Sequence, residues 1–390
     1  MSLKIIKHMK LYSDERFYSS FPCSCQLDNG EVLVAFRRGR DSRYLLKNAD
    51  LSLAQRKRLL NQVDHVDGRS HIAFLRLNDQ LNPSDEVEMF DPDPEVADQD
   101  ASLLKTSQGK LILASFSWYP ITPDISKKVK PLASYIHGSA RTTGTSYILW
   151  GGFTARGDST AKNWQQRRYI AGTDDMPDIL TGVRGPNGGP PRGSLAEDKN
   201  GNIYMATYGG LIGAKASQCF LWKSTDQGAS WQFQNIIASD SKIGFREPSL
   251  LIDSNNKLIC FMRTADAKDK IATAISLNFG KTWQTHELHE AQGHPSHPLL
   301  LADGRILLVF GYRHKKYGIR ARVLDNRACA INQAFLQSAE FIIRDDAPTA
   351  DIGYPWGLQL NGGGVLITYY FTGSDGIRHI AATLLKVEDT

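Results

Sequence analysis

The chain has 390 residues, of which 46 are Lys or Arg and 41 are Asp or Glu, so its formal net charge is +5. A hydrophobic fraction of 41% and a charged fraction of 22% are typical of a globular protein with a large core. No stretch reaches the ~18 apolar residues that a membrane span requires. No block of like charge indicates a nucleic-acid partner. We therefore expect neither a membrane-spanning segment nor nucleic-acid binding.

The cysteines and the amino terminus add two further expectations. Five cysteines form no framework of paired spacings, and only Cys23 and Cys25 stand close together, on alternate residues of a predicted strand. No second pair at metal-ligand spacing follows, so we expect buried free thiols and no metal or cofactor. Residues 1–8 lack the apolar core of a signal peptide, which predicts a cytoplasmic protein. Secretion or a periplasmic location stays open if a leader precedes this start.

One pattern recurs six times along the chain: an apolar stretch, a turn with Asn, Asp or Gly, and a second run of β-forming residues. The copies span residues 25–36, 102–116, 194–208, 249–263, 298–310 and 356–370. Each copy predicts a β-hairpin. The last four turn residues, Gly201, Asn256, Gly304 and Gly363, stand 55, 48 and 59 residues apart. This spacing is close to the ~40–50 residues of a four-stranded propeller blade, so we predict an all-β, six-bladed β-propeller.

Two stretches interrupt this pattern. Residues 44–62 carry leucines at helical spacing and predict a small helical insertion. Residues 171–193 are rich in Gly and Pro and predict a long loop, a candidate lid or rim. Neither stretch shifts the composition enough to indicate a separate unit. We expect a single domain over residues 1–390 that carries both insertions.

A second motif lies between the hairpins, at Ser224–Trp231 and Ser276–Trp283, with the shared form Ser-x-Asp/Asn-x-Gly-x-x-Trp. The Asp or Asn side chain of such a turn accepts backbone N–H bonds, and the glycine supplies a left-handed residue. The tryptophan packs back under the turn. This is the Asp-box, which is characteristic of sialidase-like propellers and lies on outer turns. We assign it a structural role only.

Charged and aromatic residues gather just before and just after the hairpin cores. Ligands of propellers bind where the ends of the inner strands converge, so these residues are the candidate site: Asp100, Arg246, Glu247, His297 and Tyr354 before the cores, and Arg37, Arg38, Arg263 and Arg313 after them. A ring rich in arginine suits an anionic sugar. His294 and His297 flank Pro295, but they lack further ligands in the sequence, so we expect a substrate contact for His297 and no metal.

The Asp-boxes and two further segments resemble the sialidase (neuraminidase) superfamily over most of the chain. Glu247-Pro-Ser-Leu, followed by Arg263 at the end of the hairpin, resembles the segment that holds the Tyr-activating Glu and one arginine of the carboxylate clamp. Tyr354-Pro-Trp-Gly resembles the segment that holds the nucleophilic Tyr. The resemblance implies that Tyr354 is a nucleophile, that Glu247 is its base, and that an Asp protonates the leaving group.

Other positions depart from that family's pattern. Ser20 stands where the family has its first clamp arginine, two residues before a proline, and Tyr370 stands where the family often has Glu. The acid/base Asp of the family lies on the loop after the first hairpin, which favours Asp67, with Asp100 as a competitor. Clamp candidates are Arg263, Arg313 and one of Arg37 or Arg38.

The leading interpretation is a sialidase-like glycoside hydrolase that removes a terminal acidic sugar, sialic acid or a related one, from a glycan without a cofactor. Ser20 and Tyr370 favour a second interpretation, a non-catalytic carbohydrate-binding propeller. A third is a glycosidase or lyase that acts on uronic acids or other non-sialic sugars, with His297 involved. The sequence does not indicate the oligomeric state.

Overall fold

The computed structural model describes residues 2–41, 48–52, 55, 70–121, 136–137, 146–173, 188–211, 213–265, 267–284, 286–327 and 330–388. The helix predicted within 44–62 lies almost entirely outside these residues, as does most of the loop predicted over 171–193. The two insertions and the single domain over 1–390 therefore stay predictions.

The described strands form six antiparallel sheets, which we number as blades in chain order. The chain opens with β1 (Ser2–Ser13). Blade 1 contains β2 (Phe17–Gln26), β3 (Val32–Arg40), β4 (His71–Leu77) and β5 (Pro83–Met89). Blade 2 contains β6 (Ala97–Asp98), β7 (Ser102–Lys105), β8 (Leu111–Ile121), β9 (Ile136–His137), β10 (Ser146–Gly157) and β11 (Arg168–Tyr169). Blade 3 contains β12 (Ala196–Glu197), β13 (Ile203–Gly209), β14 (Gln218–Ser224) and β15 (Gln232–Ala238).

The second half of the chain repeats the arrangement. Blade 4 contains β16 (Gly244–Ile252), β17 (Leu258–Ala265), β18 (Lys270–Ser276) and β19 (Glu287–Gln292). Blade 5 contains β20 (Ser296–Leu300), β21 (Ile306–Tyr312), β22 (Gly318–Leu324) and β23 (Glu340–Arg344), with helix α1 (Ile331–Gln337) between its last two strands. Blade 6 contains β24 (Gly353–Gln359), β25 (Val365–Thr372), β26 (Arg378–Glu388) and β1.

The two ends of the chain close the same blade. Strand β1 pairs with β26 in an antiparallel register that runs from Ser2 opposite Glu388 to Ser13 opposite His379. The six sheets confirm the predicted propeller. The inner strands of neighbouring blades contact one another around the axis, in the pairs β2 and β7, β12 and β16, β16 and β20, β20 and β24, and β24 and β2.

The core lies between the blades, as one apolar cluster at each of the six interfaces. The middle strands are buried on both faces; β25, for example, is buried along its whole length. Cys23, Cys25, Cys219 and Cys260 are buried free thiols within these clusters, as the sequence predicts. No helix of the described residues has the length and apolar character of a membrane span.

The Asp-box turns have the predicted local bonding. The Oδ1 of Asp226 accepts the backbone N–H of Ser230 at 2.9 Å, and the Oγ of Ser224 accepts the N–H of Gly228 at 2.8 Å. Gly228 has a φ of +78°, in the left-handed region. Trp231 donates its indole N–H to Thr154 at 3.1 Å and so ties blade 3 to blade 2. The motif is a structural turn between blades.

Candidate functional site

The candidate site lies at one end of the propeller axis, where the inner strands begin and their hairpin partners end. Three inner strands carry the same device within their first five residues, a left-handed residue followed by proline. Phe21 has a φ of +56°, Glu247 of +49° and Tyr354 of +52°. In each strand the pairing register shifts at this point, so the residue is a β-bulge. Bulges re-aim side chains, and these three turn theirs out of the regular strand alternation.

Two of these bulge residues meet in the centre of the site. The hydroxyl of Tyr354 donates a short hydrogen bond to the Oε1 of Glu247, across blades 4 and 6. The Nη1 of Arg263, from the end of β17, lies 3.1 Å from the Oε2 of the same carboxylate. Tyr354 and Glu247 are each only 7% exposed. The structure thus brings together the three residues that carry the resemblance described above.

Glu247 and Tyr354 have pKa values that are shifted in opposite directions. Burial alone would raise the pKa of Glu247, but Arg263, the hydroxyl of Tyr354 and Arg192 together lower that pKa to about 2. Burial and the negative charge of Glu247 raise the pKa of Tyr354 well above its usual value. At neutral pH the site therefore holds a neutral phenol that donates to an ionised carboxylate.

Two more arginines flank the ring of Tyr354. The guanidinium carbon of Arg192 lies 4.6 Å from the ring centroid, and that of Arg313 lies 5.3 Å from it. Arg313 donates its Nη2 hydrogen to the hydroxyl of Tyr370 at 2.9 Å and its Nε hydrogen to the carbonyl of Ile352 at 2.9 Å. Tyr370, at the position where the related family often has Glu, thus orients Arg313.

Arg192 also forms an ion pair with Asp100. The sequence analysis did not select Arg192 as a site residue. The Nε of Arg192 lies 3.0 Å from the Oδ2 of Asp100, and both side chains are buried. Burial raises the pKa of Asp100 to about 7, and Arg192 opposes this rise. Arg192 stands two residues before the third hairpin core, which begins at Ser194. The rule that selected Glu247 and Tyr354, a polar residue just before a core, would have found it.

Arg37 lies opposite the unusual Ser20. The two residues are direct partners in the pairing of β2 with β3, so their side chains share one face of the sheet. Both are fully buried, and the charge of Arg37 acts on Asp100. Among the described residues, the hydroxyl of Ser20 has no hydrogen-bond partner. An arginine is therefore present beside the position that the related family fills with its first clamp arginine, but it comes from the neighbouring strand.

The remaining candidates lie apart from this cluster. Arg38 donates to the Nε2 of His71 at 2.9 Å and stacks over Phe17, one residue out of phase with Arg37. Arg246 is exposed and donates to Ser217 at 3.3 Å. Arg246 neighbours Glu247 in sequence and pairs with Arg263 across the strands, but within the described residues no hydrogen bond joins the side chain of Arg38 or Arg246 to the trio.

His297 packs on β24 two residues beyond Tyr354. It is buried against Trp356, with ring centroids 4.1 Å apart, and its Nδ1 accepts the backbone N–H of Gly357 at 3.2 Å. Burial, with a contribution from Arg192, lowers the pKa of His297 to about 3, so the ring is neutral. Asp67, the first choice for the acid, lies outside the described residues.

The comparisons with known proteins concern the family and the fold. The family model of BNR repeat-like domains matches residues 134–367. A protein of unknown function from Dyadobacter fermentans DSM 18053 is 30% identical, with a TM-score of 0.85 and 99% of each chain covered. The chain therefore belongs to the BNR repeat-like domain family, whose propeller fold is that of the sialidases.

Sialidases are more distant structural relatives. The NanB sialidase from Streptococcus pneumoniae is 11% identical, with a TM-score of 0.60, 97% of this chain covered and 70% of that chain. A Trypanosoma rangeli sialidase, in complex with the inhibitor DANA, is 12% identical, with a TM-score of 0.60 and with 94% and 54% covered. This chain thus spans about half to two thirds of their lengths, and the likeness is one of fold. No curated protein matches the sequence.

Proposed function

We propose that this protein is a sialidase-like glycoside hydrolase that uses Tyr354 as its nucleophile on a terminal acidic sugar. The observation that carries the proposal is the buried hydrogen bond from the Tyr354 hydroxyl to Glu247. A nucleophile bonded to a base, with the base held by a third group, is the general arrangement of covalent catalysis. Arg263 is that third group, at 3.1 Å from Glu247.

The charge of the site matches an anionic sugar. Arg192, Arg263 and Arg313 surround the phenol, and the negative charge of Glu247 is paired with Arg263. A carboxylate nucleophile would repel the carboxylate of such a substrate, and a neutral tyrosine avoids this repulsion. Arginines bind carboxylates by paired hydrogen bonds, so Arg263 and Arg313 are the proposed clamp, with Arg37 in the third position.

The reaction would proceed in two steps. The Tyr354 oxygen attacks the anomeric carbon, its proton passes to Glu247, and the glycosidic C–O bond breaks as an acid protonates the leaving oxygen. Water then attacks the anomeric carbon and gives its proton to the ionised acid, the tyrosyl–sugar bond breaks, and the proton returns from Glu247 to the Tyr354 oxygen. The net configuration at the anomeric carbon is retained, because two displacements follow each other.

Substrate binding would also activate the base. In the free protein Arg263 helps to hold the pKa of Glu247 at about 2, which makes the carboxylate a weak base. A substrate carboxylate that pairs with Arg263 weakens the field of that arginine at Glu247. The pKa of Glu247 then rises toward its usual value, and its ability to take the phenol proton rises with it.

Two residues compete for the role of the acid. Asp67 matches the position that the resemblance implies, and Asp100 has a pKa of about 7, which leaves it partly protonated at neutral pH. Leaving-group dependence separates them. Replacement of the acid by Ala slows the release of a poor leaving group, such as a sugar hydroxyl, far more than that of a nitrophenolate, which needs no protonation. We expect this selective loss in only one of Asp67→Ala and Asp100→Ala.

The test of the whole proposal is a screen of aryl sialosides and uronides, followed by mass spectrometry after incubation with a 2,3-difluoro sugar acid that traps the covalent intermediate. The proposal expects turnover, retention and a label on the peptide that holds Tyr354. Glu247→Gln abolishes the label, whereas Tyr369→Phe keeps it, since that buried hydroxyl bonds to Thr383 instead. Turnover with no label in any variant contradicts the nucleophile.

A non-catalytic sugar-binding propeller is the second candidate, favoured by Ser20 in place of the first clamp arginine. Saturable binding of a sialoside or uronide by calorimetry, with no hydrolysis over days, would support it against the hydrolase. The third candidate, a uronate-active lyase that uses His297, gains no support from the neutral, buried imidazole that already accepts the N–H of Gly357.

A further inference from the structure

We propose that Asp269, His294 and His314 bind one divalent transition-metal ion of the Zn²⁺ class at the rim of the site. The proposal is independent of the hydrolase chemistry. Among the described residues, these three offer one carboxylate oxygen and two imidazole nitrogens that all lie within 4.8 Å of one another. In the sequence, His294 stands near His297 without further ligands. Asp269 and His314 come from other turns of the chain, so the sequence does not indicate that they lie beside His294.

One of the two distances is close to that between ligands of a common ion, and the other is a hydrogen-bond distance that an ion would have to widen. The Oδ1 of Asp269 lies 2.6 Å from the Nε2 of His294, and its Oδ2 lies 3.6 Å from the Nε2 of His314. The second distance is too long for a hydrogen bond. Two ligand atoms on a tetrahedral ion, each bonded at about 2 Å, lie about 3.3 Å apart. A small rotation of these side chains therefore admits the ion.

The unpartnered Nε2 of His314 supports the assignment; the unpartnered nitrogen of His294 is its other ring nitrogen, since its Nε2 faces Asp269. Within the described part of the chain, the Nδ1 of His294 and the Nε2 of His314 are both shielded from solvent and lack a hydrogen-bond partner. A buried polar atom without a partner is costly, and native proteins rarely keep one. An ion on His314 removes that cost for its Nε2. It also lets the imidazole of His294 choose the tautomer that the ligand bond requires.

The backbone holds the three ligands in fixed positions. Lys268 and Asp269 are both left-handed, with φ values of +54° and +59°, an uncommon pair for residues other than glycine. The carbonyl of Asp269 accepts the N–H of Gly293 at 3.0 Å, which ties its loop to the residue beside His294. His294 in turn donates its N–H to the carbonyl of Gly311 at 2.9 Å, close to His314. Such preorganisation lowers the cost of assembling a ligand set.

The ligand set selects the class of ion and leaves room for a further ligand. Two imidazoles and one carboxylate suit Zn²⁺, Co²⁺ or Fe²⁺ better than Ca²⁺ or Mg²⁺, which prefer oxygen. Three protein ligands leave a position open for water or a sugar oxygen. The side chains of Asp269 and His314 are 34% and 36% exposed, so the ion can reach them. Arg263 acts electrostatically on His294, so the ion would lie beside the proposed clamp.

The experiment titrates the tag-free protein, after dialysis against a chelator, with Zn²⁺ by calorimetry and with Co²⁺ by visible absorption. We expect one ion per chain, and a Co²⁺ spectrum with ligand-field bands. Asp269→Asn and His314→Ala should each weaken Zn²⁺ binding by at least about tenfold. The matched control is His286→Ala, which removes a histidine that packs on Phe245 instead.

Each outcome of the Zn²⁺ titration either supports or overturns the proposed metal site. Binding of one Zn²⁺ with unchanged affinity in both variants would overturn the proposal, as would the absence of binding in the folded wild-type protein. Circular dichroism of every variant establishes that the propeller is intact before the titration. Because His314 is partly exposed, its replacement tests the site with less risk to the fold than replacement of the buried His294.

Discussion

The inner strands of blades 1, 4 and 6 share one backbone device and carry different chemistry. Each has a left-handed residue before a proline within its first five residues, but the side chains are Phe21, Glu247 and Tyr354. Phe21 packs against the ring of Tyr354 with centroids 4.4 Å apart, whereas Glu247 accepts a hydrogen bond from the Tyr354 hydroxyl. The backbone device therefore aims a side chain toward the axis, and the residue type decides whether that side chain packs or reacts.

The largest expected effect comes from exchanging the two aromatic residues of this comparison. Tyr354→Phe should lower kcat on an active substrate by about 10³-fold or more, because the nucleophile is lost. Adding a hydroxyl at position 21, as Phe21→Tyr in the same chain, should not restore kcat, since Glu247 bonds to the hydroxyl of Tyr354 whereas Phe21 packs on the Tyr354 ring. Recovery of kcat in the double variant would mean that the bulges are interchangeable.

A smaller effect is expected from replacing Arg263, the arginine of blade 4 that contacts Glu247. Arg263→Met should raise KM about 10- to 100-fold, the loss of a charge-assisted contact with the substrate. It should also raise the pKa of Glu247, because Arg263 is the main group that lowers it. Glu247 must be ionised to act, so the acidic limb of kcat/KM moves to higher pH. The exposed Arg246→Met is the control, and an acidic limb that does not move would argue against Glu247 as the base.

Blade 2 offers a test through pH-dependent stability. The pKa of Asp100 rises from 3.8 to about 7 on folding, so the folded state binds the extra proton between these values. The stability that this proton contributes is complete below pH 3.8 and is lost as pH rises through about 7. Asp100→Asn should reduce the decline in unfolding free energy between pH 5 and 8 by about 1–2 kcal/mol, within the limit of 1.36 kcal/mol per pKa unit. Urea denaturation at several pH values gives the unfolding free energy of both proteins. The same dependence on pH in the wild-type protein and in Asp100→Asn would contradict this prediction.

The smallest effect is expected far from the axis, in the Asp-box. Asp226→Ala removes the hydrogen bonds from the Ser230 backbone and hydroxyl. The turn is largely exposed, so we expect a loss of only about 1 kcal/mol in unfolding free energy. Activity should stay unchanged, because the turn holds blade 3 to blade 2 and does not reach the site. A fall in kcat at full folding would assign the box a functional role.

The propeller fold could be predicted from the sequence because each blade repeats a local pattern. The six hairpins and the two Asp-boxes depend on turn residues and apolar runs that lie within about 15 residues of one another. The helix α1 was not predicted, since seven residues are too few for a clear helical period. The resemblance of two short segments also led to Glu247, Arg263 and Tyr354, which the fold brings into contact.

Sequence by itself determined the number of blades and which residues end the inner hairpins, since both are written in local spacing. Only the tertiary structure decided which of those residues meet. Arg37 and Arg38 are adjacent in sequence, yet strand alternation sends only Arg37 toward Asp100. Arg192 and Asp100 are 92 positions apart, and Asp269 and His314 are 45 positions apart. Their pairing depends on the closure of six sheets around one axis, which no local pattern records.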